Sequence, residues 1–285
     1  MTGFGARLQA AMTDLGPLCV GIDPHPSLLA QWGLSDDAAG LRTFALTVVD
    51  AVGGRVAAVK PQSAFFERHG PAGVAVLAEV LQAASDVGGA TQVILDAKRG
   101  DLGSTMAGYA DAFLGPDAPF RCDALTVSPY LGVGALAPAA DRVRESGRGL
   151  FVLALTSNPE GADVQHERTQ DGTAVAAGVA RDVGALNAPE RAGGSLGSFG
   201  LVVGATVGSA ARDLGLDLAA VGGPLLAPGV GAQGAGPADL AAVFGSARPA
   251  VLASTSRGVL TSGPGVGALR DAAARATDEV GTALR

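Results

Sequence analysis

Lysine is nearly absent from this chain: of its 20 basic residues only Lys60 and Lys98 are lysine, and every other cation is arginine. Aromatic residues are scarce too, at 4% with a single Trp, so any core must be packed from Ala, Val and Leu, which suits closely approached strands and helices. No apolar run reaches the roughly 18 to 20 residues that a membrane-spanning helix needs. The N-terminus lacks a basic segment followed by an apolar stretch. A soluble, cytoplasmic protein with no membrane partner is therefore expected. The two cysteines, Cys19 and Cys122, stand in apolar, strand-like contexts without CxxC spacing, as packing thiols in a reducing compartment do. The three histidines, His25, His69 and His166, are far apart and form no HExxH or related ligand spacing, so no metal site is expected. Clusters of positive charge are missing as well. A net charge of -7 with scattered arginines offers nothing to displace counterions from phosphates, which argues against a nucleic-acid partner.

What is present is apolar bulk: 48% hydrophobic against 16% charged over 285 residues, ample for a large core. Aliphatic runs recur along the chain as LCVGID around Val20, VAAVK ending at Lys60, QVILDAK around Ile94, DALTVSP around Leu125, LFVLALT around Leu153, GLVVGAT around Val203, PLLAPGV around Leu226 and AVLAST around Leu252. Between them, helical periodicity predicts helices at about 40–53, 71–88, 104–114, 133–146, 171–187, 208–215, 237–246 and 262–284. Strict alternation of fully apolar strands with amphipathic helices implies parallel strands joined by right-handed crossovers. Eight such units predict an α/β fold of the (β/α)₈ TIM-barrel kind, as one domain over 1–285. A doubly wound sheet is the alternative, but LCVGIDPHP carries no GxGxxG. The polar stretch Ser157–Asp171 is long for a βα loop, either a mobile lid or a tolerated surface insertion.

In a barrel, catalytic groups come from the C-terminal strand ends. Strand one ends here in Asp23, strand two in Lys60, strand three in Asp96, Lys98 and Asp101, strand five in Thr156 and Ser157, and strand eight in Ser254–Arg257. Both lysines of the chain thus fall at strand ends facing one mouth. An ammonium is a compact, tunable proton donor, whereas a guanidinium holds its proton at any accessible pH, so chemistry explains why these two positions escaped replacement by arginine. Alternation along the strand sends Asp96 and Lys98 to the same side. With Lys60 and Asp101 they make two acids and two ammonium groups that can interleave; a surface salt-bridge cluster is the plainer reading. PGVGAQG, with Gln233, and STSRG, with Arg257, read as a phosphate cradle between strands seven and eight.

At these residues the chain resembles the orotidine 5′-phosphate decarboxylase family, specifically its longer-chain subgroup. The DxKxxD hallmark is matched by Asp96, Lys98 and Asp101, with GIDPHP, VKPQ, TSNP, PGVGAQG and STSRG placed around it from about Gly21 to Gly258. The resemblance implies a lyase of pyrimidine biosynthesis that converts orotidine 5′-monophosphate to uridine 5′-monophosphate (UMP) without metal or organic cofactor. It implies that Asp96 lies beside the departing carboxylate, that Lys98 stabilises and protonates the C6 carbanion, and that Asp23 and Lys60 contact the ribose. Ser157 would bond the pyrimidine edge, and Gln233 and Arg257 the phosphate. The resemblance further implies a homodimer with shared active sites, in which Asp101 and Thr105 reach the partner's ribose. His166 and Gln170 acquire no role from it. Two other readings remain open: a Mg²⁺-dependent sugar-phosphate decarboxylase or aldolase on the same barrel, and a non-catalytic barrel that binds a phosphorylated metabolite.

Overall fold

The computed structural model of the chain describes residues 2–191, 194–231 and 234–285. In chain order its elements are α1 Phe4–Leu15, β1 Leu18–Ile22, α2 Pro26–Gln31, α3 Ala38–Val52, β2 Ala58–Pro61, α4 Ala64–Glu67, α5 Gly70–Asp86, β3 Gln92–Arg99, α6 Gly103–Phe113, β4 Ala124–Val127, α7 Ala137–Ser146 and β5 Gly149–Leu155. Then follow α8 Ala162–Gln165, α9 Val175–Arg191, β6 Phe199–Val203, α10 Ala210–Asp213, β7 Leu225–Pro228, α11 Pro237–Phe244, β8 Val251–Thr255, α12 Arg257–Leu260 and α13 Val266–Ala283. The eight strands pair in sequence order, all parallel, and β8 closes on β1 through Leu18↔Ala253 and Cys19↔Ser254. This is the expected (β/α)₈ barrel.

The expected helices appear, those at about 171–187 and 262–284 starting four residues later as α9 and α13, and two others change in kind. Gly208 and Gly215 bound the segment between them, leaving room only for the single turn α10. The segment from 133 opens as a 3₁₀ turn, Val133–Leu136, because Pro138 sets the start of α7 one turn later. An unexpected element is α1, which precedes the alternation. Phe4, Leu8 and Ala11 on one face of it are buried against the barrel interior, with Phe4 edge-on to Phe151 at 5.8 Å. Arg7 latches this plug to the rim, pairing with Asp123 at 2.9 Å and donating to the Gly147 carbonyl at 2.8 Å. Burial of the Phe4 ring contributes roughly 1.5–3 kcal/mol.

Period-two alternation sorts the strands into two layers. Val20, Val59, Val93, Leu95, Leu125 and Val152 face outward into the helix layer. Cys19, Ala58, Ile94, Ala124, Phe151, Val202, Leu226 and Leu252 face inward. The inward positions nearest the N-terminal ends are apolar and closed by α1. One pleat further along, at the opposite mouth, the inward positions turn polar on β2, β3, β4 and β8, as Lys60, Asp96, Thr126 and Ser254, and stay apolar on β5 and β7, as Leu153 and Pro228.

Candidate active site

Those polar positions line a cavity of about 590 Å³ at the C-terminal mouth. Its two walls differ in character. Asp23, Lys60, Asp96, Lys98, Thr126, Ser254 and Ser256, from β1 to β4 and β8, form a charged and hydroxylated wall, while Leu153, Val202, Leu226 and Pro228, from β5 to β7, form an apolar one. A flat, partly apolar ring with polar substituents on one side matches such a cleft.

The charged wall is a bonded row. Asp96 sits at its centre, with Lys60 Nζ 2.9 Å from Oδ2 and Lys98 Nζ 2.6 Å from Oδ1. Thr126 Oγ1 donates to the same Oδ1 at 2.8 Å. Burial alone would raise the Asp96 carboxyl, but the Lys60 and Lys98 ammonium groups and their hydrogen bonds override it and hold it down at about 2. Burial would likewise depress Lys60, yet the Asp23 and Asp96 carboxylates on either side raise it above its ordinary value. Asp96 and Lys60 are therefore both ionised at neutral pH. Beneath it, burial pushes the Cys19 thiol up to about 12, which keeps it neutral and inert. Asp23 accepts a 2.6 Å bond from Ser256 at Oδ2, while its Oδ1 is buried without a partner among the described residues. An orphaned acceptor beside a cavity is an unfilled contact for a ligand hydroxyl.

Lys98 reaches this row by a route that alternation did not foresee. The pairing of β3 with β4 slips between Leu95↔Leu125 and Arg99↔Val127, and Lys98 takes φ +48°. A local bulge, rather than a regular pleat, delivers its side chain to Asp96.

Across the mouth, β7 runs into a turn in which Gly229 and Gly231 adopt φ values of +91° and +110°, open only to glycine without strain. Gly229, Val230 and Gly234 line the cavity together with Arg257 and Gly258 from the start of α12 and Thr261 just past its end. Residues of both segments expected to form a cradle between strands seven and eight thus line the same cavity. Gln233 lies outside the described residues.

Five of the nine residues singled out from sequence, Asp23, Lys60, Asp96, Lys98 and Arg257, are gathered in this one cavity. Asp101 and Thr105 are not among its walls. They sit at and just beyond the rim, Asp101 capping the Leu102 N–H at 2.8 Å and Thr105 exposed in the first turn of α6. Ser157 is also outside, exposed, with Thr156 lining the cavity in its place. The loop beyond it is organised: Gln165 of α8 bonds both the N–H and the hydroxyl of Thr156 at 2.8 Å, and Arg168 bridges to Ala174. Sequence reasoning passed over Thr126. A hydroxyl at an inward pleat position of an otherwise aliphatic strand was the available signal.

Comparison with known proteins agrees with this geometry. The family model described as orotidine 5′-phosphate decarboxylase / HUMPS family matches residues 16–272. The chain belongs to this family. An orotidine 5′-phosphate decarboxylase of Streptomyces coelicolor is 60% identical over all of this chain and 99% of its own length, and that of Salinispora arenicola is also 60% identical with the same coverage. Among solved structures, a Streptomyces avermitilis chain assigned as an orotidine 5′-phosphate decarboxylase is 59% identical, with a TM-score of 0.93 over 100% of this chain and 96% of that one. The Leishmania donovani OMP decarboxylase is 29% identical, with a TM-score of 0.75 over 99% of both chains.

Proposed function

We propose that the Lys60–Asp96–Lys98 row carries the decarboxylation of orotidine 5′-monophosphate to UMP, a step of pyrimidine biosynthesis, without metal or organic cofactor. The observation that carries this reading is Asp96 held ionised between two ammonium groups, across a cleft whose far rim carries the glycine turn after β7 and Arg257. The phosphate binds the 229–234 turn, with Gln233, and Arg257, and this remote contact holds the pyrimidine against the row. Asp23, with its unpartnered oxygen, and Lys60 take the ribose. The orotate carboxylate lies beside Asp96, where two like charges raise the ground state and separate as the C6–carboxylate bond breaks. The electron pair stays on C6, stabilised by the Lys98 ammonium, which then transfers a proton to it. Ser157 bonds the pyrimidine edge once its loop closes over the ring.

The active site is shared between two copies of the chain. Leu102, Tyr130 and Leu131 are large apolar side chains left exposed, Tyr130 by 80%. They sit on the loops after β3 and β4, which are tied by the Ser128 N–H to the Arg99 carbonyl at 2.8 Å, and Leu102 directly follows Asp101. An apolar patch beside an acid with no role in its own cavity supports a second copy docking there. The net charge of -7 supports a small-molecule substrate over nucleic acid, and two buried free thiols suit the reducing cytoplasm.

The alternative within the family's barrel, Mg²⁺-dependent chemistry on a sugar phosphate, makes the opposite prediction about chelation. Purified protein mixed with orotidine 5′-monophosphate is expected to abolish the orotate absorption at the same rate with and without a chelator. Absence of turnover, or its loss on chelation, would contradict the proposal.

A further inference from the structure

Lys98 is the only non-glycine residue with positive φ among the described residues. Its placement raises a physical question, because side-chain-bearing residues leave this conformation unless their surroundings hold them in it. Between two consecutive points of pairing, β3 advances from Leu95 to Arg99 while β4 advances only from Leu125 to Val127. The surplus backbone is folded into the bend that turns Lys98 onto Asp96.

Inside the barrel the bend is held by Thr126, whose Oγ1 accepts the Lys98 N–H at 3.0 Å while donating to Asp96. Outside, it is held by Arg99. One Arg99 nitrogen, Nη1, donates to the Ala97 carbonyl at 3.3 Å, spanning Lys98 from the far side, and Nη2 pairs with the Glu67 carboxylate at the end of α4. The guanidinium carbon lies 5.7 Å from the centre of the Tyr109 ring of α6. The Arg99 carbonyl accepts the Ser128 N–H at 2.8 Å. Arg99 also keeps its Nε buried with no partner among the described residues. An exposed ion pair alone would not call for this cost; a guanidinium committed to one orientation does. Arg99 is absent from the cavity wall, so it has no direct access to substrate.

We propose that Arg99 is a positioning residue for the reaction: clamped by Glu67 and Tyr109, it grips the Ala97 carbonyl and fixes the bend that aims Lys98 at the reacting carbon. The inference rests on Lys98 acting as the acid. Lysine at 99 could pair with Glu67 but lacks the planar fork that reaches the carbonyl and lies against the ring at once.

The test measures kcat and KM for orotidine 5′-monophosphate, Kd for UMP and Tm in Arg99→Met, Glu67→Gln, their double variant and Lys98→Ala. Arg99→Met is expected to lower kcat roughly ten- to hundredfold, the scale of a misplaced catalytic group, with KM and Kd unchanged within about twofold. Glu67→Gln should lower kcat in the same direction by less, and the double variant should be no worse than Arg99→Met, because Glu67 works through Arg99. Wild-type kcat in Arg99→Met, or a loss of UMP affinity as large as the loss of kcat, overturns the inference. If Arg99→Met does not fold, Glu67→Gln decides alone, and an unchanged kcat there overturns it equally. Lys98→Ala separates the two levels of the account: an inactive Lys98→Ala beside a fully active Arg99→Met rejects only the positioning role, whereas an active Lys98→Ala rejects the acid itself.

Discussion

Lys98→Arg is expected to lower kcat by about three orders of magnitude or more, the combined scale of general-acid catalysis and of electrostatic stabilisation of the developing carbanion, while UMP continues to bind. The substitution keeps the charge, so the loss isolates what an ammonium does that a guanidinium cannot. Lys98 Nζ sits 2.6 Å from Asp96 Oδ1, in a bend already occupied on both faces by Thr126 and the Ala97 carbonyl. A longer, planar guanidinium does not place a compact donor at that point in the same geometry. A guanidinium that did fit would still hold its proton, leaving C6 without a donor. Nucleotide affinity survives because Arg257 and the β7 turn lie on the opposite rim and are untouched. Steady-state turnover and a UMP titration of the same preparation check this. Retention of a tenth or more of wild-type turnover would rule out Lys98 as the essential acid.

The second large effect is a recovery. Lys98→Ala and Asp101→Ala are each expected to be nearly inactive alone, and activity should return when their subunits exchange. Lys98 faces its own cavity, whereas Asp101 is not among its lining residues and directly precedes the exposed Leu102. If Asp101 serves the neighbouring site, a mixed dimer has one site lacking both groups and one site with both intact. Random exchange makes about half of all dimers mixed, so total activity should rise to roughly a quarter of wild type, given the all-or-none behaviour of residues that act as a unit. Activity that stays at the level of the separate variants, with exchange confirmed by differently tagged subunits, would remove Asp101 and Thr105 from the shared site.

Much of this arrangement was legible in the sequence because parallel strands buried on both faces leave few choices. Every strand from Val20 to Leu252 announces itself as an aliphatic run, and strand ends such as Asp23, Lys60 and Asp96 fall on inward pleats by simple alternation. What alternation cannot show is a departure from itself. The bulge at Lys98 and the grip of Arg99 on Ala97 depend on contacts with β4, α4 and α6, more than twenty residues away on either side for Thr126 and Glu67. The α1 plug was missed for a related reason: it belongs to no βα unit, and its apolar face is explained only by the open barrel end that Phe4 fills. Ser157 shows another limit. Its motif is present, but whether its side chain lines the cavity depends on the path of the loop after β5, which strand alternation does not encode, and here it is exposed beside the lining residue Thr156.

The most direct measurement is a crystal structure of the chain with UMP. The phosphate is expected on Arg257 and the β7 turn, the ribose hydroxyls on Asp23 and Lys60, and C6 of the ring facing Lys98 Nζ at about 3 to 3.5 Å, the reach of proton transfer. A nucleotide bound with C6 turned to the apolar wall of Leu153, Val202 and Leu226, or with its phosphate away from Arg257, would contradict this mechanism.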